Sequence, residues 1–421
     1  MNIRTTRTLG KLITLSLITS TMIHATNGDN LIAVGTKARG MGGVGIAMSH
    51  GAESALSNGA LITSVESNEI GFGGTVFMPD IKTEIKSSFF ADGELTSDAD
   101  MNMIPEVSLA HKIDENWYIG VGMWGTGGMG TDYQDNEPQN ASTGTFGNFR
   151  MVTNLQLMQF GIPIAYKTGG LSLAITPVLQ YGNLDINYVI PANGFGAGPA
   201  TDQHIGAGLA QDFGFGYNLG LAYDLSANGV DGLTLGAMYK SAIEMDYDYQ
   251  LTNAVAPFQA FGPALPITDT LEQPEEFGVG IAYSMGQHTL AFDYTKIKWS
   301  DAKGYKDFGW DDSDVYAVGY QYTENEWTLR LGYNHADSAV VEVPEARLNF
   351  FNLLGFPATA EDHYTVGASY EFSRQFSLDL AYVYQDNNNE TYDVSALFGP
   401  DATVSTDHAE DSVSFQLAYK F

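Results

Sequence analysis

Residues 213–225 alternate in polarity at every step. Phe213, Phe215, Tyr217, Leu219, Leu221, Tyr223 and Leu225 are apolar, and Gly214, Gly216, Asn218, Gly220, Ala222 and Asp224 between them are small or polar. After a turn at 226–232, Leu233, Leu235, Ala237, Tyr239, Ile243, Met245, Tyr247 and Tyr249 alternate with Thr234, Gly236, Lys240, Glu244, Asp246 and Asp248. Period two means strand, because successive side chains leave opposite faces of a pleated backbone. Strands of about ten residues with one apolar and one polar face are how a membrane barrel is written. The same rule predicts about fourteen strands, over 69–79, 104–111, 117–124, 154–166, 171–188, 213–225, 233–249, 276–283, 288–296, 315–322, 327–334, 362–372, 376–385 and 412–421.

The connections alternate too. Those at 112–116, 167–170, 226–232, 284–287, 323–326 and 373–375 are short, and those at 125–153, 189–212, 250–275, 297–314, 335–361 and 386–411 are long. Short periplasmic turns and long extracellular loops are the habit of bacterial outer-membrane barrels, whereas a soluble sandwich has no reason to sort loops by end. Tyr166, Tyr223, Tyr283, Tyr322, Phe372 and Phe421 stand at or near the turn end in the apolar parity, and Trp117, Trp327 and Phe376 open the strands that follow. They read as one aromatic girdle at a membrane interface. In the last strand Val413, Phe415, Leu417, Tyr419 and Phe421 face away from Ser412, Ser414, Gln416 and Lys420. A final strand ending in Phe421 resembles the signal read by the barrel assembly machinery, and it is expected to close the sheet on its first strand.

The 421 residues, 44% of them hydrophobic, suffice for one large barrel. Asp and Glu number 50 against 19 Lys and Arg, giving a net charge of -31. That argues against nucleic acid, which needs basic patches; it suits soluble loops and divalent-ion bridging to lipopolysaccharide and other anionic outer-membrane lipid. There is no cysteine, hence no disulfide or thiolate chemistry. Residues 1–25 read as a cleaved secretory signal: Arg4, Arg7 and Lys11, an apolar stretch, then Ala25. No later segment reaches the roughly eighteen apolar residues of a membrane helix. His50, His111, His204, His288, His335, His363 and His408 show neither H-E-x-x-H spacing nor a Ser nucleophile motif. Asp311, Asp312 and Asp314 lack the rest of a calcium loop. No catalytic residue, metal or cofactor is therefore expected.

Before the first strand comes a glycine-rich segment. Gly40, Gly42 and Gly45 formally satisfy G-x-G-x-x-G, but the flanking signal and barrel are not the βαβ unit which that motif needs. The run Lys37-Ala38-Arg39-Gly40-Met41-Gly42-Gly43-Val44-Gly45-Ile46-Ala47, the small-residue stretch to Asn58 and Ala60, and W-Y-I-G-V-G within 105–122 resemble the FadL-type family of outer-membrane transporters. Where the family usually has Asn-Pro-Ala, this chain has Asn58-Gly59-Ala60, and Gly for Pro is expected to loosen that corner. The resemblance implies import of long-chain fatty acids or similar hydrophobic molecules in a Gram-negative outer membrane. It further implies that residues 26–66 fold into the barrel of residues 67–421 as a plug, or hatch, carrying Gly40, Met41, Gly42, Gly43, Gly45, Asn58, Gly59 and Ala60. Loop capture, lumenal binding and lateral exit beside the hatch follow from the same likeness.

Apolar residues in expected loops supply candidate contacts for such a ligand. Val189, Ile190 and Phe195 lie in one, Val255, Phe258, Phe261 and Leu265 in the next, and Phe350, Phe351, Leu353, Leu354 and Phe356 in a later one. Exposed clusters of that kind mark binding surfaces, although the same residues would equally form a cap. For a carboxylate, Lys240 and Arg330 fall in lumenal registers and Arg150 stands near the mouth. Glu106, Glu244, Asp293 and Asp379 share the inward registers and offer ordinary ion pairing instead. The expected fold is thus an all-β, antiparallel transmembrane barrel with a lumenal plug, working as a monomer. Uptake of aromatic hydrocarbons, a general porin and an adhesin are the alternatives.

Overall fold

The computed structural model describes residues 26–55, 57–89, 92–135, 149–190, 192 and 201–421. Phe195 and the signal segment lie outside them. Fourteen antiparallel strands form the wall: β1 (Asn68–Lys86), β2 (Asn102–Lys112), β3 (Trp117–Met129), β4 (Val152–Gly161 with Ile164–Thr168), β5 (Leu171–Ile190), β6 (Ala210–Asp224) and β7 (Leu233–Lys240). The remainder are β8 (Glu276–Met285), β9 (His288–Ile297), β10 (Ser313–Glu324), β11 (Trp327–Ala336), β12 (Asp362–Glu371), β13 (Phe376–Asp393) and β14 (Thr403–Lys420). Each pairs with its neighbours in order, and β14 closes on β1 from Lys420 opposite Glu69 to Thr403 opposite Lys86. Closure removes the open edge that hydrocarbon would not tolerate. The expected girdle is in place, with Trp117, Tyr166, Tyr283, Trp327, Phe372, Phe376 and Phe421 all exposed on the outer face.

Three departures from the expected strands have physical causes. The fourth strand is interrupted at Pro163, which lacks the N–H a ladder needs; its carbonyl still accepts from Gly120 N at 2.8 Å. The third continues through Gly125–Met129 territory expected to be loop. The seventh leaves the wall at Ser241, and Ile243–Asp246 pairs with Thr270–Gln273 in a separate hairpin folded inward. Ile243, Met245 and Tyr247 are therefore buried among protein rather than facing lipid, and Glu244 points outward to Lys303 instead of into the lumen. Alternation cannot tell hydrocarbon from a packed interior, since both are apolar. Gly214 and Gly216 make room for the hairpin: a Cβ on Gly214 would stand 2.4 Å from Ile243 Cγ2.

The long connections close the extracellular end as a packed cap. At its centre is α1 (Ala346–Gly355), buried over its whole length. An all-round buried helix must satisfy its polar side chains, and these are satisfied. Asn349 bonds to the backbone of Val343, Asn352 donates to Phe308 O at 2.9 Å, and Arg347 holds Glu345.

Residues 26–55 and 57–63 pack within the ring of strands, most of them buried. The wall is shaped to receive them. An added Cβ would stand 2.0 Å from Ile46 O at Gly236, 2.6 Å from Met41 O at Gly319, 2.0 Å from Gly42 N at Gly332 and 2.9 Å from Gly40 Cα at Gly367. Polar anchors reinforce the fit. Asp293 accepts from Gly45 N and Ile46 N at 2.7 and 2.8 Å, Thr365 accepts from Gly42 N at 2.8 Å, and Asn334 donates to Gly42 O at 3.0 Å.

Candidate functional site

The pairing of the wall is irregular between β2 and β3. β2 pairs with β1 up to Asn102, but with β3 only as far as Glu106 opposite Trp124. Beyond that point β3 runs on beside β4 with a bulge that skips Thr126. Its freed edge is taken by the lumenal segment: Asn30 pairs with Gly127, and Gly128 N donates to Asp29 O at 3.0 Å. Gly127 permits this, since a Cβ there would stand 2.5 Å from Asp29 O. Composition alone makes such a glycine-rich stretch read as loop.

A groove of about 400 Å³ opens along this seam, between Met101, Met103 and Pro105 on one side and Gly125 to Gly130 on the other. Behind it, between the lumenal segment and the wall, is a cavity of about 120 Å³ bordered by Thr126, Ile46, Lys240 and Glu276. Leu31 borders both spaces. Above, in the cap, a small apolar pocket of about 20 Å³ is walled by Tyr305, Phe308, Trp310 and Phe356, and Met129 borders that pocket and the groove alike.

The hairpin at Thr26 to Leu31 ties these spaces together. Asp29 accepts from Gln273 at 3.0 Å and from the Tyr305 hydroxyl, and Trp299 packs on Gly28. Burial pushes the Asp29 carboxyl up to about 6 and the Tyr305 phenol well above its usual range.

The structure gathers some of the residues marked as ligand contacts and scatters others. Ile190, Val255, Phe258 and Leu265 join Phe350 and Phe351 in the cap's apolar cluster, with the Phe258 and Phe351 rings 4.9 Å apart. Phe261, 52% exposed, sits at the outer margin of that cluster. Val189 and Ile190 belong to β5 rather than to a loop, and Val189 opposes His204 on the face away from Tyr188.

The candidate cations are mostly engaged. Lys240 borders the lumenal cavity, 2.8 Å from Glu276. Arg330 bonds to Gln321 and Ser369, next to Asp379 and Glu53. Arg150 is exposed, with φ at 46°.

Two cations not singled out in the sequence carry the lumenal anchoring. Arg39 is buried and paired with Glu106 and Thr75, and Lys37 lies 3.3 to 3.7 Å from Glu53, Glu69 and Asp379. The inward parity of Glu106 and Asp379 was the available signal, because buried carboxylates must find cations. Asn58 fixes its corner by donating to Ile46 O at 2.7 Å and Leu221 O at 3.0 Å while accepting from Ala60 N. Gly59 is tightly enclosed: a Cβ there would stand 2.8 Å from Thr176 Oγ1, so the corner is packed rather than loose.

A closed ring of strands with an oily exterior, a filled lumen and an apolar cap defines an outer-membrane β-barrel built for something other than bulk water flow. The sequence profile of the outer membrane protein transport protein family (OMPP1/FadL/TodX) matches residues 20–421, and the chain belongs to that family of outer-membrane transporters of hydrophobic compounds. The long-chain fatty acid transport protein of Escherichia coli O6:H1 (strain CFT073) is 24% identical over 368 residues, covering 78% of this chain and 79% of its own length. The fold is similar to that of a Pseudomonas aeruginosa FadL homologue, with TM-score 0.71 and 15% identity over 94% of this chain and 100% of the other. It is also similar to the Pseudomonas putida toluene transporter TodX, with TM-score 0.67 and 20% identity over 92% and 99%.

Proposed function

We propose that this protein imports hydrophobic molecules by capture in the extracellular cap, passage into the lumen and sideways release through the seam between β2 and β3. The observation that carries this reading is the interrupted pairing beyond Glu106, with a lumenal cavity directly behind it. A lateral exit lets an apolar solute reach the hydrocarbon layer without crossing the periplasmic water it would have to be desolvated from again. The hatch acts as the gate, because its own strand at Asn30 fills the edge that β2 leaves free.

Small uncharged molecules, monoaromatic hydrocarbons among them, suit the interior best. The cap pocket is lined by aromatic and aliphatic side chains, its polar groups being Asn352, the Trp310 indole N–H and the Tyr305 hydroxyl, and at about 20 Å³ it has to widen before a ring can enter. Lys37, Arg39, Lys240 and Arg347 each already hold a carboxylate and Arg330 bonds to Gln321 and Ser369, so a fatty-acid head group in the interior would have to displace a partner. Long-chain fatty acids are the second reading, supported by the E. coli relative's name and by exposed Arg150 near the mouth.

A disulfide across the seam tests the route. A Cβ placed on Gly125 stands 3.6 Å from Ile104 Cβ, inside the range that a disulfide spans, and the chain has no cysteine of its own. Oxidised Ile104→Cys/Gly125→Cys is expected to lose uptake of radiolabelled toluene and oleate, with recovery on reduction and normal rates in each single variant. Wild-type uptake by the oxidised double variant refutes lateral release. Unequal loss of the two substrates identifies which one uses the seam.

A further inference from the structure

The seam between β2 and β3 is rich in sulfur. Met101, just before β2, Met103 on β2, Met129 on β3 and Met158 on β4 all border its groove. Elsewhere the outer face is built of branched and aromatic side chains such as Leu219, Val279, Leu329 and Phe415. Among the described residues the exposed methionines are Met101, Met103 and Met285, and two of these three stand at the seam. Methionine in a core serves to fill irregular gaps, but Met101 and Met103 are 67% and 77% exposed and are not packing material. Met158 stands opposite Gly125, a partner with no side chain of its own. Met129 carries the lining inward, since it also borders the cap pocket.

A thioether differs from a leucine side chain of similar volume in two ways that matter to a passing solute. It is unbranched, so it reshapes itself around molecules of different outline, and its polarisable sulfur is attracted to the edge of an aromatic ring. That edge is the positive part of the ring's quadrupole. A saturated ring has no such quadrupole and gains from burial alone. We propose that Met101, Met103, Met129 and Met158 are specificity-determining residues of the seam, their thioethers holding aromatic rings there in preference to saturated rings of similar size. The inference rests on the seam as release route and adds a chemical preference to it. Toluene and methylcyclohexane isolate the effect, because they are alike in size and bury similar apolar area. The difference between them therefore reports the sulfur contacts and not the hydrophobic gain that both share.

The test is methyl NMR of the full barrel in lipid nanodiscs, with methionine and isoleucine isotope-labelled in their methyl groups. Toluene is titrated in, and methylcyclohexane is measured by competition against it. Toluene is expected to shift the methyls of Met101, Met103, Met129 and Met158 upfield through its ring current, in a saturable manner, and to bind about fivefold more tightly than methylcyclohexane. Met285, exposed at the turn end of β8, is expected to show only the linear drift of solute dissolved in the bilayer. Changing all four seam methionines to Leu conserves volume and is expected to bring the two affinities together. In that variant binding is read from the Ile104 methyl, which borders the same groove, and heat-modifiable gel mobility confirms a folded barrel. Drift at the seam no different from that at Met285, equal affinities in the wild type, or a preference retained by the leucine variant each overturns the proposal. Binding is read at equilibrium, so saturable, aromatic-selective shifts uphold these residues even where the oxidised seam variant keeps its uptake and lateral release fails.

Discussion

Replacing Glu106 by Gln probes what holds the hatch. Arg39 is buried at the centre of the lumenal segment, and its guanidinium is shared between Glu106 on β2, Thr75 on β1 and Ser414 on β14. Glu106 is also the last residue of β2 to pair with β3 before the seam opens. The substitution keeps the shape and removes the charge, which leaves an uncompensated cation in a site shielded from water. Breaking a buried pair on one side costs about 3–5 kcal/mol. With roughly 1.4 kcal/mol per factor of ten, the ratio of docked to undocked segment falls on the order of a hundredfold to a thousandfold. Thr75 and Ser414 remain as acceptors, which favours the lower end. Hydrogen exchange over residues 36–45 is the direct assay, and openings in planar bilayers are the functional one. Arg39→Met/Glu106→Leu removes both charges and is expected to return exchange and conductance toward wild type, because a buried pair is replaceable by apolar residues of similar volume. Wild-type exchange in Glu106→Gln, or equal leakage by the single and double variants, refutes the electrostatic latch.

The cap and the hairpin yield two further expectations. Phe258→Ala removes a buried ring packed against Phe149, Tyr188, Phe350 and Phe351 and is expected to cost the cap about 3–5 kcal/mol, read as a lower melting temperature and lost binding of an apolar fluorophore. Phe261→Asp, at the exposed margin, should weaken fluorophore capture while leaving melting unchanged; unchanged capture removes that margin from the route. Asp29 has a folded-state pKa near 6 against an ordinary 3.8, so docking of its hairpin is most favourable below pH 3.8 and weakens as pH rises toward 6, by about 3 kcal/mol in all. Asp29→Asn is expected to slow hydrogen exchange of the hairpin at pH 7.5 and to leave it unaltered near pH 4, and the opposite order refutes the assignment.

Much of the barrel is legible from alternation and from where aromatic residues stand, because lipid imposes one requirement on every strand's outer face. The exceptions arise where a different apolar environment substitutes for lipid. Ile243 and Met245 keep the parity of Leu235 and Tyr239, yet the turn at Ser241 delivers them to the cap. Gly125 to Gly130 carry too few side chains to show that they continue a strand, and Gly127 is explained only by its partner at Asp29 and Asn30. The apolar loop residues foretold a cluster but not its packing, in which Val189 stands on the face away from Tyr188 and Phe261 at the edge. The cations were least readable. Lys240 was correctly lumenal but already paired, and the pairing of Arg39 with Glu106 joins residues that no local pattern relates.

The glycines on the inner face of the wall have a consequence for evolution and engineering. Gly236, Gly319, Gly332 and Gly367 are small because of what presses on them from within, so they trace the outline of the plug in the sequence of its container. Mould and casting have to change together. A chimera that seats a distant relative's N-terminal segment in this cylinder would meet ridges where it carries bulk and hollows where it does not.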